Sequence, residues 1–104
     1  QLGQSDVYIT PILMGTWQAG QKMWVGIDND ESIKAIRAAF EAGITARDTA
    51  EVCGEGHSEQ IVAKALSDVR DQVVYASKVF ANHLTYEQVI AACDRSCTSE
   101  PLAL

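Results

Sequence analysis

Basic residues are scarce in this sequence. Eight lysines and arginines stand against fourteen aspartates and glutamates in 104 residues, a net charge of −6. General nucleic-acid binding needs a basic footprint to meet phosphates, so it is not expected here. Docking on an anionic membrane is disfavoured for the same reason. Long hydrophobic runs are missing, and none approaches the roughly 20 residues that cross a bilayer. Gln1 to Thr10 shows no basic start followed by an apolar stretch, so no secretory leader is visible. Cysteines are few and odd in number: Cys53, Cys93 and Cys97. That is no disulfide framework, and a reducing, cytosolic compartment is expected. No low-complexity stretch or linker divides the chain, so residues 1–104 read as one domain.

What is present is a globular composition, 47% hydrophobic and 21% charged, in which apolar runs alternate with helical stretches. Val7–Thr10 reads as a short strand. Pro11 separates it from a second apolar run at Ile12–Met14. Asp28–Ala42 reads as a helix, with Ile33, Ile36, Ala39 and Phe40 at helical spacing. Asp28 with Glu31 resembles a capping box, and Gly43 is a C-terminal stop. Ile44–Asp48 is a strand, and Ser58 is expected to cap a second helix carrying Ile61, Val62, Ala65 and Leu66. Val73–Lys78 has the highest β-propensity. Thr85 with Gln88 opens a third helix, with Val89, Ile90, Ala92 and Cys93 as its apolar positions. After Ser96 the pattern fades, and residues 97–104 read as a divergent tail. Cys93 and Cys97 share a helix face and read as small buried apolar residues.

Strands alternating with helices imply an α/β fold of βαβ units on a parallel sheet. In such folds chemistry gathers at the carboxyl ends of the strands. Three segments qualify: Gly15-Thr16-Trp17, Asp48 to His57, and Lys78 to His83. Alternation puts Ile44, Ala46 and Asp48 on one face, and Val74, Ala76 and Lys78 on one face. If the two strands are neighbours, a carboxylate and an ammonium meet at one end. Read alone, the two residues form either a structural ion pair or a charged pair that tunes a third group.

The run Asp48-Thr49-Ala50-Glu51-Val52-Cys53-Gly54, followed by Gly56-His57-Ser58-Glu59, resembles the aldo-keto reductase signature. So do Thr10-Pro11-Ile12, Gly15-Thr16-Trp17, Ala42-Gly43-Ile44 and Ser77-Lys78-Val79, in matching order and spacing. The resemblance implies part of a (β/α)8 barrel, about three βα units of it, that uses NADPH to reduce carbonyls. It implies that Asp48 and Lys78 are the family's catalytic Asp and Lys, and that Gly15, Thr16 and Trp17 border the cofactor. In the family a tyrosine protonates the carbonyl oxygen, the lysine held by the aspartate lowers that tyrosine's pKa, and a histidine orients the carbonyl. A phenol with a pKa near about 10 needs such help at neutral pH.

The sequence departs from this pattern at three points. Cys53 stands where the tyrosine belongs, and a thiol is several ångströms shorter than a phenol (roughly, from side-chain dimensions). Neither His57 nor His83 lies where the family's histidine belongs. A barrel of this type runs to about 250 residues, and the family's phosphate-binding strands fall beyond these 104. Arg47 adds a charge on the strand face that should be apolar. The chain is therefore expected to be inactive alone and not to hold NADPH tightly.

The alternative is an interaction module that self-associates or binds a partner chain, because three strands leave edges and an inner face open. An enzyme completed by a partner, and thiol chemistry at Cys53 beside Lys78, are weaker readings. No metal site is expected: Cys53 and His57 lie at the opposite end of a βα unit from Cys93 and Cys97, on the order of 15 Å away.

Overall fold

The computed structural model describes residues 1–20, 26–51 and 57–99. Its strands are β1 (Met14–Gly15), β2 (Ala46–Asp48) and β3 (Val74–Ala76), and its helices are α1 (Asn29–Glu41), α2 (His57–Leu66) and α3 (Tyr86–Ser99). Short 3-10 segments run over Trp17–Gly20 and Ser67–Gln72. The sheet order is β1-β2-β3 and both pairings are parallel. This is the (β/α)3 unit expected from the alternation of strands and helices.

The first strand forms inside the second apolar run, not at Val7–Thr10. Leu2 N–H instead donates to Val7 O at 2.9 Å, and Tyr8 stands exposed. β-propensity reports the fit to a neighbouring strand, and Val7–Thr10 has no such neighbour. Pro11, which has no N–H, then interrupts any ladder before Ile12.

Helix α1 begins where the carboxylate of Asp28 accepts the N–H of Asp30 at 2.7 Å, so Asp28 is the cap as expected but with Asp30 as its partner, while Glu31 faces Lys34. The helix ends in a Schellman turn. Gly43, at φ 95°, donates to Phe40 O at 2.9 Å, and Ile44 N–H donates to Ala39 O at 3.0 Å. That reversal delivers the chain directly into β2. Helix α3 carries the reciprocal cap read from Thr85 and Gln88: Gln88 Oε1 accepts the N–H of Thr85 at 3.2 Å, and Thr85 Oγ1 accepts that of Gln88 at 3.4 Å. The helix runs on through Ser99, three residues past the point where its apolar spacing fades.

The core lies on the helix side of the sheet. Ile36 of α1 meets Ile61, Val62, Ala65 and Leu66 of α2, with Val69, Val73 and Ala19 closing the cluster. Met14, Ile33, Phe40 and Tyr75 pack at its margin. Val62 and Leu66 are wholly buried, a contribution of about 1.5–3 kcal/mol each. Arg47 shares this side with Met14 and Tyr75, its register partners. On the other side Gly15, Asp48 and Ala76 lie in register, Gly15 and Ala76 exposed and Asp48 partly so.

Two expectations for the helices are corrected. Ser58 does not cap α2; it lies inside the first turn, fully buried, where it bonds across the fold. Cys93 and Cys97 are not buried apolar residues: Cys93 is exposed and Cys97 half-buried. Helix α3 touches the fold through Ala92, Arg95 and Ser96, and among the described residues no element covers its other side. No helix among the described residues is long and apolar enough to cross a membrane.

Candidate functional site

Asp48 is the last residue of β2, and Lys78 follows β3 by two residues. Because Asp48 pairs in register with Ala76, the period of two brings Lys78 onto the same face at the same end. Lys78 Nζ donates to Asp48 Oδ1 at 2.6 Å and to Thr49 O at 2.8 Å. The lysine side chain is 58% exposed and the aspartate 44%. An ion pair so open to water adds at most about 1 kcal/mol to stability. The fold therefore gains little from these two charges, although it positions them closely.

Backbone bonds hold the two strand ends together beyond the regular ladder. Thr49 N–H donates to Ala76 O at 2.8 Å, and Glu51 N–H donates to Lys78 O at 3.2 Å. On the other flank, Thr16 donates to Asp48 O through its N–H at 3.1 Å and its hydroxyl at 3.2 Å. Ser58 locks this junction from α2. Its hydroxyl donates to Thr16 O at 2.6 Å, and Thr49 Oγ1 donates to Ser58 Oγ at 3.1 Å. All three residues are buried.

The segment Gly15-Thr16-Trp17 thus borders the Asp48–Lys78 pair, with its parts differently placed. Thr16 spends its hydroxyl inside the fold. Gly15 has open space where a Cβ would stand, and Trp17 is 51% exposed. A cleft of about 230 Å³ lies behind it, lined by Met14, Gly15, Thr16, Ala19, Ser32 and Ile36, and Asp48 and Lys78 take no part in it. Cys53, at the tyrosine position, lies outside the described residues. His57 bonds Asn29 Oδ1 through Nε2 at 2.9 Å and joins the starts of α1 and α2.

Spacing alone did not reveal two carboxylates near the pair. Glu51 accepts the N–H of Phe80 at 2.7 Å, sits 2.9 Å from His83 Nδ1 and is 3.5 Å from Arg95 Nη2. Burial pushes its carboxyl pKa up, but the Phe80 amide, His83 and Arg95 outweigh that and hold it below the ordinary glutamate range. Glu59, buried in α2, accepts hydroxyls from Ser77 at 2.6 Å and Ser96 at 2.7 Å. A signal for Glu59 was present: it falls on one helical stripe with Val62 and Leu66, so a carboxylate interrupts an apolar face. Glu51 left no such trace.

Arg47 is fully buried on the helix side. Its guanidinium donates to the carbonyls of Ile44 at 2.5 Å, Ala46 at 3.1 Å and Ile36 at 3.2 Å, while among the described residues Nε has no partner. Burial pushes its pKa down from the ordinary arginine value. The charge that sequence patterning places against an apolar layer is met by peptide oxygens.

Comparison with known proteins agrees with this arrangement. The sequence profile of the Aldo/keto reductase family matches residues 11–99. Aldo-keto reductase YhdN of Bacillus subtilis is 44% identical over 79 residues, which are 74% of this chain and 24% of that protein. The structure of the thermostable aldo-keto reductase Tm1743 with the inhibitor epalrestat superposes with a TM-score of 0.85 at 28% identity, covering 97% of this chain and 38% of that one. The aldo/keto reductase of Klebsiella pneumoniae in complex with NADP and acetate gives a TM-score of 0.76 at 31% identity, covering 86% of this chain and 31% of that one. The chain therefore spans a quarter to somewhat over a third of these relatives' lengths. A parallel (β/α)3 unit with its carboxylate and ammonium joined at the strand ends, a profile match over most of its length and close superposition on solved members together place this chain in the aldo/keto reductase family.

Proposed function

We propose that these 104 residues carry the Asp–Lys portion of an NADPH-dependent carbonyl-reduction site and do not reduce carbonyls by themselves. The observation that carries this reading is the Lys78–Asp48 bond at 2.6 Å on the side of the sheet away from the core. In the catalytic role implied by the family, the ammonium lowers the pKa of a neighbouring proton donor, and the aspartate fixes the ammonium in place. The donor at the matching position is Cys53. A thiol beside a cation ionises more readily, but it is shorter than the phenol it replaces. Catalysis is sensitive to misplacement of about 1 Å.

A nicotinamide cofactor, which supplies hydride when bound, fits the described residues only in part. NADP is present in the related Klebsiella structure. Gly15, with open space above it, and the half-exposed Trp17 suit the edge of a flat ring. The phosphates need cations, and of the described ones Lys78 is engaged by Asp48 and Arg95 by Glu51. Tight binding of the cofactor by this chain alone is therefore not expected. The test is a titration of the purified chain with NADPH, followed by tryptophan fluorescence. The reading expects no saturation; a saturable micromolar curve would contradict it.

A second reading, compatible with the first, is supported by exposed apolar side chains. Leu84 is 65% exposed, Tyr86 83% and Ile90 46%, all in or next to α3. Ile12 is 65% exposed beside β1. These residues would suit self-association or a partner chain. A cytosolic location accords with the sparse cysteines.

A further inference from the structure

We propose that Glu51 is a positioning residue for Lys78, and that it acts by bracketing the end of β3. The backbone N–H of Glu51 donates to Lys78 O at 3.2 Å. Its carboxylate accepts the N–H of Phe80 at 2.7 Å, two residues further along. One residue therefore grips the chain on both sides of Val79, just after the strand has ended and its ladder can no longer fix the backbone. Lys78 Nζ reaches Asp48 from within this bracket.

The carboxylate is itself held from two elements. His83, in the segment between β3 and α3, lies 2.9 Å from Oε1, and Arg95, on α3, lies 3.5 Å from Oε2. With 11% of its side chain exposed, Glu51 is far more sheltered than Asp48 or Lys78. Bonds to an ionised, sheltered acceptor are stronger than neutral ones. Both ligands of the carboxylate and the amide it grips come from the β3–α3 side, whereas Glu51 itself follows β2. The effect is to pin the end of β3 to the end of β2 at the level of the ion pair.

The functional meaning rests on reading Asp48–Lys78 as the reductase pair, but the bracket is tested without turnover. The probe is amide relaxation by NMR on the whole chain. In the wild type, Lys78, Val79 and Phe80 should have order parameters of about 0.85, as in rigid backbone. Glu51→Ala should drop them toward about 0.6 or below, with β2 unchanged. Glu51→Gln, whose amide oxygen still accepts the Phe80 N–H, should restore them. Unchanged values in Glu51→Ala, or equal loss in Glu51→Gln, would overturn the proposal. Should Glu51→Ala fail to fold, the Phe80 amide proton decides. Its shift should follow the acid titration of Glu51 in the wild type and lose that dependence in Glu51→Gln. A Phe80 amide indifferent to pH in the wild type would also overturn it.

Discussion

Arg47 shows how a residue that breaks the pattern is accommodated. Three carbonyls take its guanidinium, yet among the described residues Nε has no partner and the charge is wholly removed from water. Replacing a buried charge with an apolar side chain of similar length is often neutral or stabilising. Arg47→Met should therefore leave stability unchanged or raise it by about 1 kcal/mol. Arg47→Ala, which also deletes the packed stem, should cost about 2 kcal/mol. Urea unfolding of the two variants separates these outcomes. Glu51 predicts a pH dependence. Its folded-state pKa is depressed, so its contribution is fully present above the unfolded glutamate value of about 4.3 and is lost as pH falls through the folded value. Glu51→Gln should flatten the decline of stability in that acid window. An unchanged acid limb would remove Glu51 from the account.

At the level of elements, legibility followed the range of the interactions. The α1 cap at Asp28, the Gly43 stop and the Thr85–Gln88 box were readable because their partners lie within a few residues. The Asp48–Lys78 pair was readable because strand alternation and a parallel register are simple periodic rules. Local rules make Ser58 a cap, but its partner, Thr16, lies 42 positions earlier and no local rule points to it. Glu51 carries no local signal for the same reason, with His83 32 positions away. Helix α3 starts where the Thr85–Gln88 box predicts but runs on to Ser99, and its apolar positions Val89, Ile90 and Cys93 are exposed, since spacing gives a face without saying what covers it. The Ser58 junction carries its own prediction. Ser58→Ala removes the donor to Thr16 O and the acceptor for Thr49 Oγ1 in a buried setting, and should cost about 2 kcal/mol. Loss of less than about half that in urea unfolding would mean that water or a neighbour replaces the hydroxyl.

Among the described residues one side of the sheet is packed, and on the other Gly15, Ala76 and Lys78 are exposed and Asp48 is partly so. The helices share a core behind the sheet, while Asp48 and Lys78 face outward with Ile12, Leu84, Tyr86 and Ile90 exposed elsewhere on the surface. Light scattering should therefore show association as concentration rises, and Ile90→Lys should weaken it. A monomer throughout the series would remove the support for the second reading. The Asp48–Lys78 pair is built, while the sequence carries Cys53 where the family resemblance expects the proton-donating tyrosine. The lack of turnover that follows is tested most directly by the rate of NADPH oxidation with an aldehyde in the presence of the purified 104-residue chain. The account predicts no rate above a protein-free control; a rate that rises in proportion to added protein would contradict it.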